Sequence, residues 1–126
     1  MRDELVALLI TYAHEIPQFG SIVGRGGPLG NLKFFEPNVR FGGFMATQFD
    51  GLPIWDVGAG VGHVSAYLEK HGMKPIAIDI NQREKPEYHV EMVNAFAAKY
   101  QKGSVVMLCR PCHGFFPEAV IEQAVR

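Results

Sequence analysis

Two acids and three closely spaced glycines form the stretch of this chain with the clearest chemical potential. Asp56 stands two residues ahead of the first glycine, and Asp79 follows further along the chain; the glycines are Gly58, Gly60 and Gly62. Glycine allows the backbone to turn tightly and to approach a ligand, because no Cβ stands in the way. Carboxylates accept hydrogen bonds from hydroxyl and amino groups. These residues predict a backbone turn that holds a polar or anionic small molecule beside one or two carboxylates.

The segment from Cys109 to His113, reading CRPCH, is the second stretch whose residue types can do chemistry. It matches the pattern for covalent haem attachment, and its cysteines also fit a redox pair or half of a zinc site. We reject haem, because the motif follows an apolar strand-like run and the chain shows no export signal. A zinc site would need another ligand pair, and the sequence has no second CxxC and no HxxxH. No metal site is therefore predicted, while a redox pair stays open.

The glycine stretch lies between two segments with the character of buried strands. Ile54 to Val57 is a short apolar run before the glycines, and Ile76 to Ile80 is a second one after them. Between these runs, apolar residues recur at three- and four-residue steps from Val61 to about Lys70, which predicts a helix. Gly72 is well placed to end that helix. The stretch therefore predicts a parallel βαβ unit, with the helix N-terminus over the glycine turn.

The spacing of the glycines separates two nucleotide-binding patterns. The dinucleotide fingerprint GxGxxG requires a glycine at position 63, where this chain has His63. An acid, three alternating glycines, a helix, a strand and a second acid instead resemble motif I and the next acidic motif of the Rossmann-like S-adenosylmethionine-dependent methyltransferases. The alternative is a purely structural turn that joins a strand to a helix, with Asp79 as a solvated acid at the end of a strand.

The resemblance implies a role for each matching residue. The three glycines would approach the methionine part of S-adenosylmethionine, and Asp79 would accept hydrogen bonds from both ribose hydroxyls. Asp56 would help to fix the turn and, often through water, the amino group of the cofactor. The resemblance also implies a cofactor site at the carboxyl edge of a parallel sheet.

The segment from Tyr88 to Tyr100 fits either a strand or a helix. Val90, Val93, Ala97 and Tyr100 fall on one helical face, but Pro86 disfavours a long helix through the connection, so we favour a strand from Tyr88 to Val93. On that interpretation Asn94 follows the strand and resembles the third motif of the methyltransferases. The resemblance then implies that Asn94 binds the adenine amino group and that Phe96 lies against the ring. If the segment is a helix instead, Asn94 is an ordinary helix residue and has no role at the adenine.

Ser104 to Cys109, reading SVVMLC, is a clear buried strand. The residues that follow it occupy the place of the fourth motif of the methyltransferases, of which only the first proline, Pro111, is retained. In that place His113 is the candidate general base and Arg110 the candidate contact for an anionic acceptor. Cys112 is a weaker candidate nucleophile. The alternative is that Arg110 and His113 are simple turn residues.

The residues before the glycine turn predict a helix followed by a loop. Asp3 to Ile16 carries apolar residues at helical spacing, and Pro17 closes the segment. Residues 20–43 are rich in glycine and predict a long ordered loop, part of which faintly resembles a segment that closes over the cofactor. The alternative is that its phenylalanines, Phe41 and Phe44 among them, plug the core. A last helix is predicted from Pro117 to Ala124.

Length and composition narrow the classes of protein. The 126 residues with a net charge of −1 indicate one domain and no basic surface for nucleic acid. The longest apolar run near the N-terminus, Leu5 to Ile10, is too short to span a membrane, so a cytoplasmic protein is expected. Residues 1–53 would form the N-terminal helix and loop, and residues 54–126 the βαβ cofactor core.

These observations predict an α/β, Rossmann-like open parallel sheet with flanking helices, lacking the later strands of the methyltransferase sheet. A missing strand exposes a sheet edge, which a second copy of the chain is a candidate to cover. The predicted function is transfer of a methyl group from S-adenosylmethionine to an unidentified acceptor. The alternative is an S-adenosylmethionine-binding regulatory or assembly module without catalysis of its own.

Overall fold

The computed structural model describes residues 5–11, 20–22, 35–81, 85–101 and 103–109. These residues form seven strands and two helices: β1 (Leu5–Thr11), β2 (Gly20–Ile22), β3 (Phe35–Pro37), α1 (Val39–Gln48), β4 (Ile54–Val57), α2 (His63–Glu69), β5 (Ile76–Asp79), β6 (Val90–Met92) and β7 (Ser104–Cys109). In these ranges no helix is long and apolar enough to cross a membrane.

The fold is α/β, as predicted, and is built on a five-stranded sheet in the order β1-β7-β4-β5-β6. Every neighbouring pair in that sheet is parallel. Strands β2 and β3 form a separate antiparallel pair. The chain runs outward from β4 to β5 and β6 and then returns to β7 on the other side of β4. The order therefore reverses between β4 and β7, and the crevice at the carboxyl ends of such strands is where open α/β sheets bind ligands.

The predicted βαβ unit is confirmed as a local structure. Strand β4 is buried along its whole length, α2 follows the glycines, and β5 pairs beside β4 with Trp55 opposite Ile76. Gly72 has a φ of 85°, a left-handed conformation that suits the end of a helix. The strand predicted from Tyr88 to Val93 is confirmed over Val90–Met92, because β6 pairs with β5 there and no helix follows up to Tyr100.

The prediction of a helix from Asp3 to Ile16 is wrong within the described residues. Residues Leu5–Thr11 form β1, which runs parallel to β7 with Ile10 opposite Leu108. A short continuous apolar run fits a buried helix and a buried parallel strand equally well, and pairing with a distant strand decided between them. The sheet thus gains a strand beyond β7 from the N-terminal part of the same chain. The predicted helix at 117–124 lies outside the described residues.

The long loop predicted for residues 20–43 contains regular structure that the sequence did not reveal. Helix α1 begins at Val39, and the Asn38 side chain caps it by accepting a hydrogen bond from the Phe41 N–H at 3.0 Å. The sequence did not predict this helix because Gly42 and Gly43 lie within it, and glycine is a poor helix former. Gly42 has a packing reason, because a Cβ at that position would lie 2.4 Å from the His71 ring.

The core lies on both faces of the sheet, because successive strand residues point to opposite faces. On one face, Phe41 and Met45 of α1 and Leu68 of α2 pack over Ile54 and Met107. Phe41 and Met45 are fully buried, and Phe44 packs at the edge of this cluster. The alternative interpretation, in which these phenylalanines pack in the core, is therefore confirmed for the buried Phe41 and the partly buried Phe44, and α1 is an integral layer of the domain.

The other face is covered by the irregular segment after β6. Ala95 and Ala98 pack against Trp55, whose ring meets the Tyr100 ring edge-on at 4.9 Å between centroids. The Trp55 indole N–H donates to the Gln101 side-chain oxygen at 2.8 Å. These contacts fix the residues that lead from β6 to β7, so a segment without helix or strand still closes the core.

Candidate functional site

The three glycines form a turn between β4 and α2 in which left-handed positions alternate with Ala59 and Val61. Gly58, Gly60 and Gly62 have φ values of 70°, 62° and 80°, which other residue types seldom adopt. The backbone N–H groups of Gly58 and Ala59 donate to the Ile78 carbonyl at 2.9 and 3.0 Å. These two hydrogen bonds hold the turn, which follows β4, to the end of the neighbouring strand β5.

Asp79 joins this turn through its side chain. One carboxylate oxygen accepts the Gly60 N–H at 2.8 Å, and the other accepts the Asn81 N–H at 2.9 Å. Asp79 is the last residue of β5 and is 9% exposed. The structure therefore brings the second predicted acid against the middle glycine, at the carboxyl edge of the sheet.

Asp56 lies inside the domain beneath the turn. It is 2% exposed, and its carboxyl group accepts a hydrogen bond from the Ser65 hydroxyl of α2 at 2.7 Å. Burial raises the pKa of Asp56 to about 7; the Ser65 hydrogen bonds oppose this rise, and the charge of Asp79 adds to it. The Asp56–Ser65 contact ties β4 to the first turn of α2, which is the geometry that a turn-fixing role requires.

Gly62 is where the turn meets the segment before β6. A Cβ at Gly62 would lie 2.7 Å from the Tyr88 Cβ and 3.0 Å from a Val90 methyl carbon. The Val61 carbonyl also accepts the Glu87 N–H at 2.7 Å. Gly58 differs, because a Cβ there would meet nothing within 4 Å. The two glycines therefore have different reasons for their residue type, close packing at Gly62 and backbone conformation at Gly58.

Alanine substitutions at these glycines are expected to separate the two effects. Gly58→Ala should cost about 1–2 kcal/mol, the usual penalty of a left-handed non-glycine residue. Gly62→Ala should cost at least about 2 kcal/mol, because overpacking against Tyr88 adds to the same backbone penalty. Urea unfolding of both variants measures the difference. Equal losses would contradict the close packing of Gly62 against Tyr88.

Asn94 also lies at the carboxyl edge of the sheet. The Val93 N–H donates to the Asp79 carbonyl at 3.1 Å, which places the residues after β6 beside the end of β5. The Asn94 side-chain oxygen accepts the Phe96 N–H at 2.8 Å, and both residues are exposed. The Asn94 side chain thus stabilises a local turn beside the end of β5, where Asp79 lies.

Two apolar residues at this edge were not predicted as site residues. Ile80 is 63% exposed directly after Asp79, and Met92 is 62% exposed in register with Asp79, while Phe96 is 42% exposed. The available signal was an apolar residue directly after a strand-end acid, where a polar turn residue is commoner. Together Ile80, Met92 and Phe96, here called the apolar edge, offer exposed side chains at the ends of β5 and β6 and in the turn that follows β6.

The predicted catalytic residues Arg110 and His113, and Cys112 beside them, lie outside the described residues. The described chain ends with Cys109 in β7, the strand next to β4. In the described ranges no group of three histidine, cysteine or acidic residues is arranged to hold a metal ion. Of the predicted site residues, the structure therefore brings together Asp56, Gly58, Gly60, Gly62 and Asp79.

A separate cavity of about 420 Å³ opens beside the start of β5. Its lining includes Pro75, Tyr88 and three acids, Glu69, Glu87 and Glu91. The Tyr88 hydroxyl donates to the Pro75 carbonyl at 2.7 Å, which supports one wall. None of the predicted site residues lines this cavity, so we place the candidate site at the glycine turn on the strength of its geometry.

No protein-family model matches the sequence, and comparisons with curated proteins and with solved structures find no match. The methyltransferase resemblance rests on the motif residues alone. The function is accordingly argued from the arrangement of those residues.

Proposed function

We propose that this protein binds S-adenosylmethionine at the glycine turn and transfers its methyl group to an acceptor. The observation that carries the proposal is the contact between the Asp79 carboxylate and the Gly60 N–H, 2.8 Å long, at the carboxyl edge of adjacent parallel strands. It unites the two halves of the sequence motif, the glycines and the second acid, in one place. The Rossmann-like methyltransferase core is part of the same proposal.

The free hydrogen-bonding capacity of Asp79 fits the ribose of this cofactor. Each carboxylate oxygen accepts one backbone N–H, from Gly60 or Asn81, and an ionised carboxylate offers about four acceptor positions. Two positions therefore remain for two ribose hydroxyls. The open space at Gly58, where even a Cβ would meet nothing within 4 Å, suits close approach of the methionine part to the backbone.

The apolar edge fits the adenine end of the cofactor. Ile80, Met92 and Phe96 provide exposed apolar and aromatic surface near Asp79, and a flat ring gains from such contacts. The Asn94 side-chain oxygen accepts one N–H, from Phe96, and so retains a second lone pair for the adenine amino group. This assignment extends the predicted role of Asn94 to the neighbouring apolar side chains.

When bound, S-adenosylmethionine supplies a methyl group on a positively charged sulfur, which is a good leaving group. The chain then has to hold the cofactor, align an acceptor and, where the acceptor needs it, remove a proton. Asp79 and the glycine turn serve the first task. His113 as base and Arg110 as acceptor contact stay predictions from the sequence.

Calorimetric titration with S-adenosylmethionine and S-adenosylhomocysteine tests the cofactor. We expect both to bind and NADH and ATP, as controls, not to bind at the same concentrations. If neither of the first two binds, the cofactor assignment is wrong and the turn is only a connection between β4 and α2.

A second experiment separates the methyltransferase from the binding module without catalysis. The protein is incubated with S-adenosylmethionine labelled in the methyl group and with pools of small-molecule and macromolecular acceptors. Transfer of label supports the enzyme, and His113→Ala should then reduce transfer more than cofactor affinity. Tight binding with no transfer to any pool favours the regulatory or assembly module.

A further inference from the structure

Asp56 and Asp79 are a pair of carboxyl groups with unlike surroundings. Asp79 stands at the rim of the sheet, and each of its oxygens accepts a backbone N–H. Asp56 is buried, and among the described residues only Ser65 provides it with hydrogen-bond donors. A buried carboxylate with so few donors is poorly compensated for the loss of water, so its neutral form is favoured.

The residues paired with Asp56 on the neighbouring strands carry no charge. On β7 it pairs opposite Met107, and on β5 opposite Ala77. Asp79 is the acid that acts on it electrostatically, and Tyr88, whose own pKa is raised mainly by burial, responds to the charges of Glu69 and Asp56. The described groups shown to interact electrostatically with Asp56, namely Asp79 and Tyr88, are thus an acid and a phenol. A positive charge in the turn would add to the Ser65 hydrogen bonds in favouring its ionised form.

We propose that Asp56 is a charge sensor beneath the glycine turn, which gives up its proton to the solvent when a positively charged ligand binds there. The inference rests on the proposed function: S-adenosylmethionine and S-adenosylhomocysteine both carry a positively charged amino group, and S-adenosylmethionine carries a positive sulfonium in addition. Asp56 therefore favours the cofactor over its demethylated product, and that preference grows as the pH rises through the range where Asp56 loses its proton. The Asp56–Ser65 hydrogen bond holds the carboxyl group in place in both states.

The first test uses the protein alone. Because burial raises the pKa of Asp56 from 3.8 to about 7, its neutral form stabilises the fold below pH 4, and this stability is lost as the pH rises towards 7. Asp56→Asn stays neutral and keeps an oxygen for Ser65. The Tm of wild type should therefore fall relative to that of Asp56→Asn between pH 5 and 7.5, and then stay parallel to it. Parallel curves throughout would overturn the proposal.

Ser65→Ala provides a control, because it should shift the pH dependence of stability in a defined direction. The Ser65 hydrogen bonds lower the pKa of Asp56, so removing the hydroxyl should move the midpoint of the stability change to higher pH. A midpoint that stays fixed or moves to lower pH would show that another group is titrating.

The second test counts protons on binding. Calorimetry at pH 7 in phosphate and in Tris, whose ionisation enthalpies differ, should show wild type releasing roughly half a proton more than Asp56→Asn with S-adenosylmethionine. With S-adenosylhomocysteine, which lacks the sulfonium, the difference between the two proteins should be smaller. Between pH 6 and 8, the affinity of wild type for S-adenosylmethionine should rise at least about fivefold more than that of Asp56→Asn.

The outcomes distinguish the two proposals. Binding of both ligands with equal proton release in wild type and Asp56→Asn overturns the charge sensor and leaves the cofactor assignment intact. Failure of wild type to bind either ligand contradicts the proposed function, and the sensor with it. Extra proton release by wild type that is larger with S-adenosylmethionine than with S-adenosylhomocysteine supports both, and extra release that is equal for the two ligands contradicts the preference for the cofactor.

Discussion

Replacing Asp79 by alanine is expected to weaken binding of S-adenosylmethionine by at least about 100-fold, because two charge-assisted hydrogen bonds to the ribose are lost, each worth about 1.5–3 kcal/mol. The substitution also removes the acceptor that holds the Gly60 N–H, so the turn loses its contact with β5 on that side. The two hydrogen bonds from the Gly58 and Ala59 N–H groups to the Ile78 carbonyl remain. The turn should therefore keep its overall course while the ligand contacts disappear.

Calorimetry of Asp79→Ala, with Asp50→Ala beside it, measures this effect. Asp50 is an exposed acid in the turn after α1, so its removal provides the same change of charge away from the site. Asp50→Ala should bind as wild type does. Asp79→Asn, which keeps one oxygen, should fall between the two. An affinity of Asp79→Ala within threefold of wild type would show that this acid does not hold the ligand.

Phe41→Ala is expected to destabilise the domain by about 3–5 kcal/mol, the usual cost of removing a buried phenylalanine ring. Phe41 is fully buried in α1 and packs in the cluster over β4 and β7 that includes Leu68. Removing the ring leaves a cavity between α1 and the sheet. Because a domain of this size has a free energy of unfolding of only about 5–15 kcal/mol, this loss would remove a large part of its stability.

Urea unfolding of Phe41→Ala and Val39→Ala measures the difference on one helix. Val39 is 80% exposed at the first position of α1, so its truncation should change stability by less than about 0.5 kcal/mol. A loss below 1 kcal/mol for Phe41→Ala would contradict the placement of α1 in the core. It would favour the loop that the glycine-rich sequence suggested.

The two experiments test different parts of the molecule. Asp79→Ala addresses a contact at the rim of the sheet, where the proposed ligand would lie. Phe41→Ala addresses the layer that supports β4, the strand that leads into the glycine turn. Retained affinity in a destabilised Phe41→Ala protein, measured at a temperature where it is folded, would show that the site depends on the sheet and not on α1.

The sequence by itself determined the elements whose signals are local. Three alternating glycines favour a turn with left-handed positions, and short apolar runs that the glycine turn and Pro75 interrupt favour strands on each side. The helix between them follows from its periodicity, and the strand β7 from its continuous apolar run. A residue's own conformational freedom and the next few side chains are enough to specify such elements. They also place Asp56 and Asp79 at known positions on neighbouring strands.

Only the tertiary structure decided the features that depend on residues far apart in sequence. Leu5–Thr11 became a strand because β7 offers its unpaired edge, and α1 formed across a glycine pair because its Phe41 and Met45 are buried against the sheet. The same holds for the site: the Gly60 contact of Asp79 and the burial of Asp56 arise from packing of the turn, α2 and the segment before β6. Propensity and periodicity describe a segment alone, whereas pairing and burial are properties of two segments in contact.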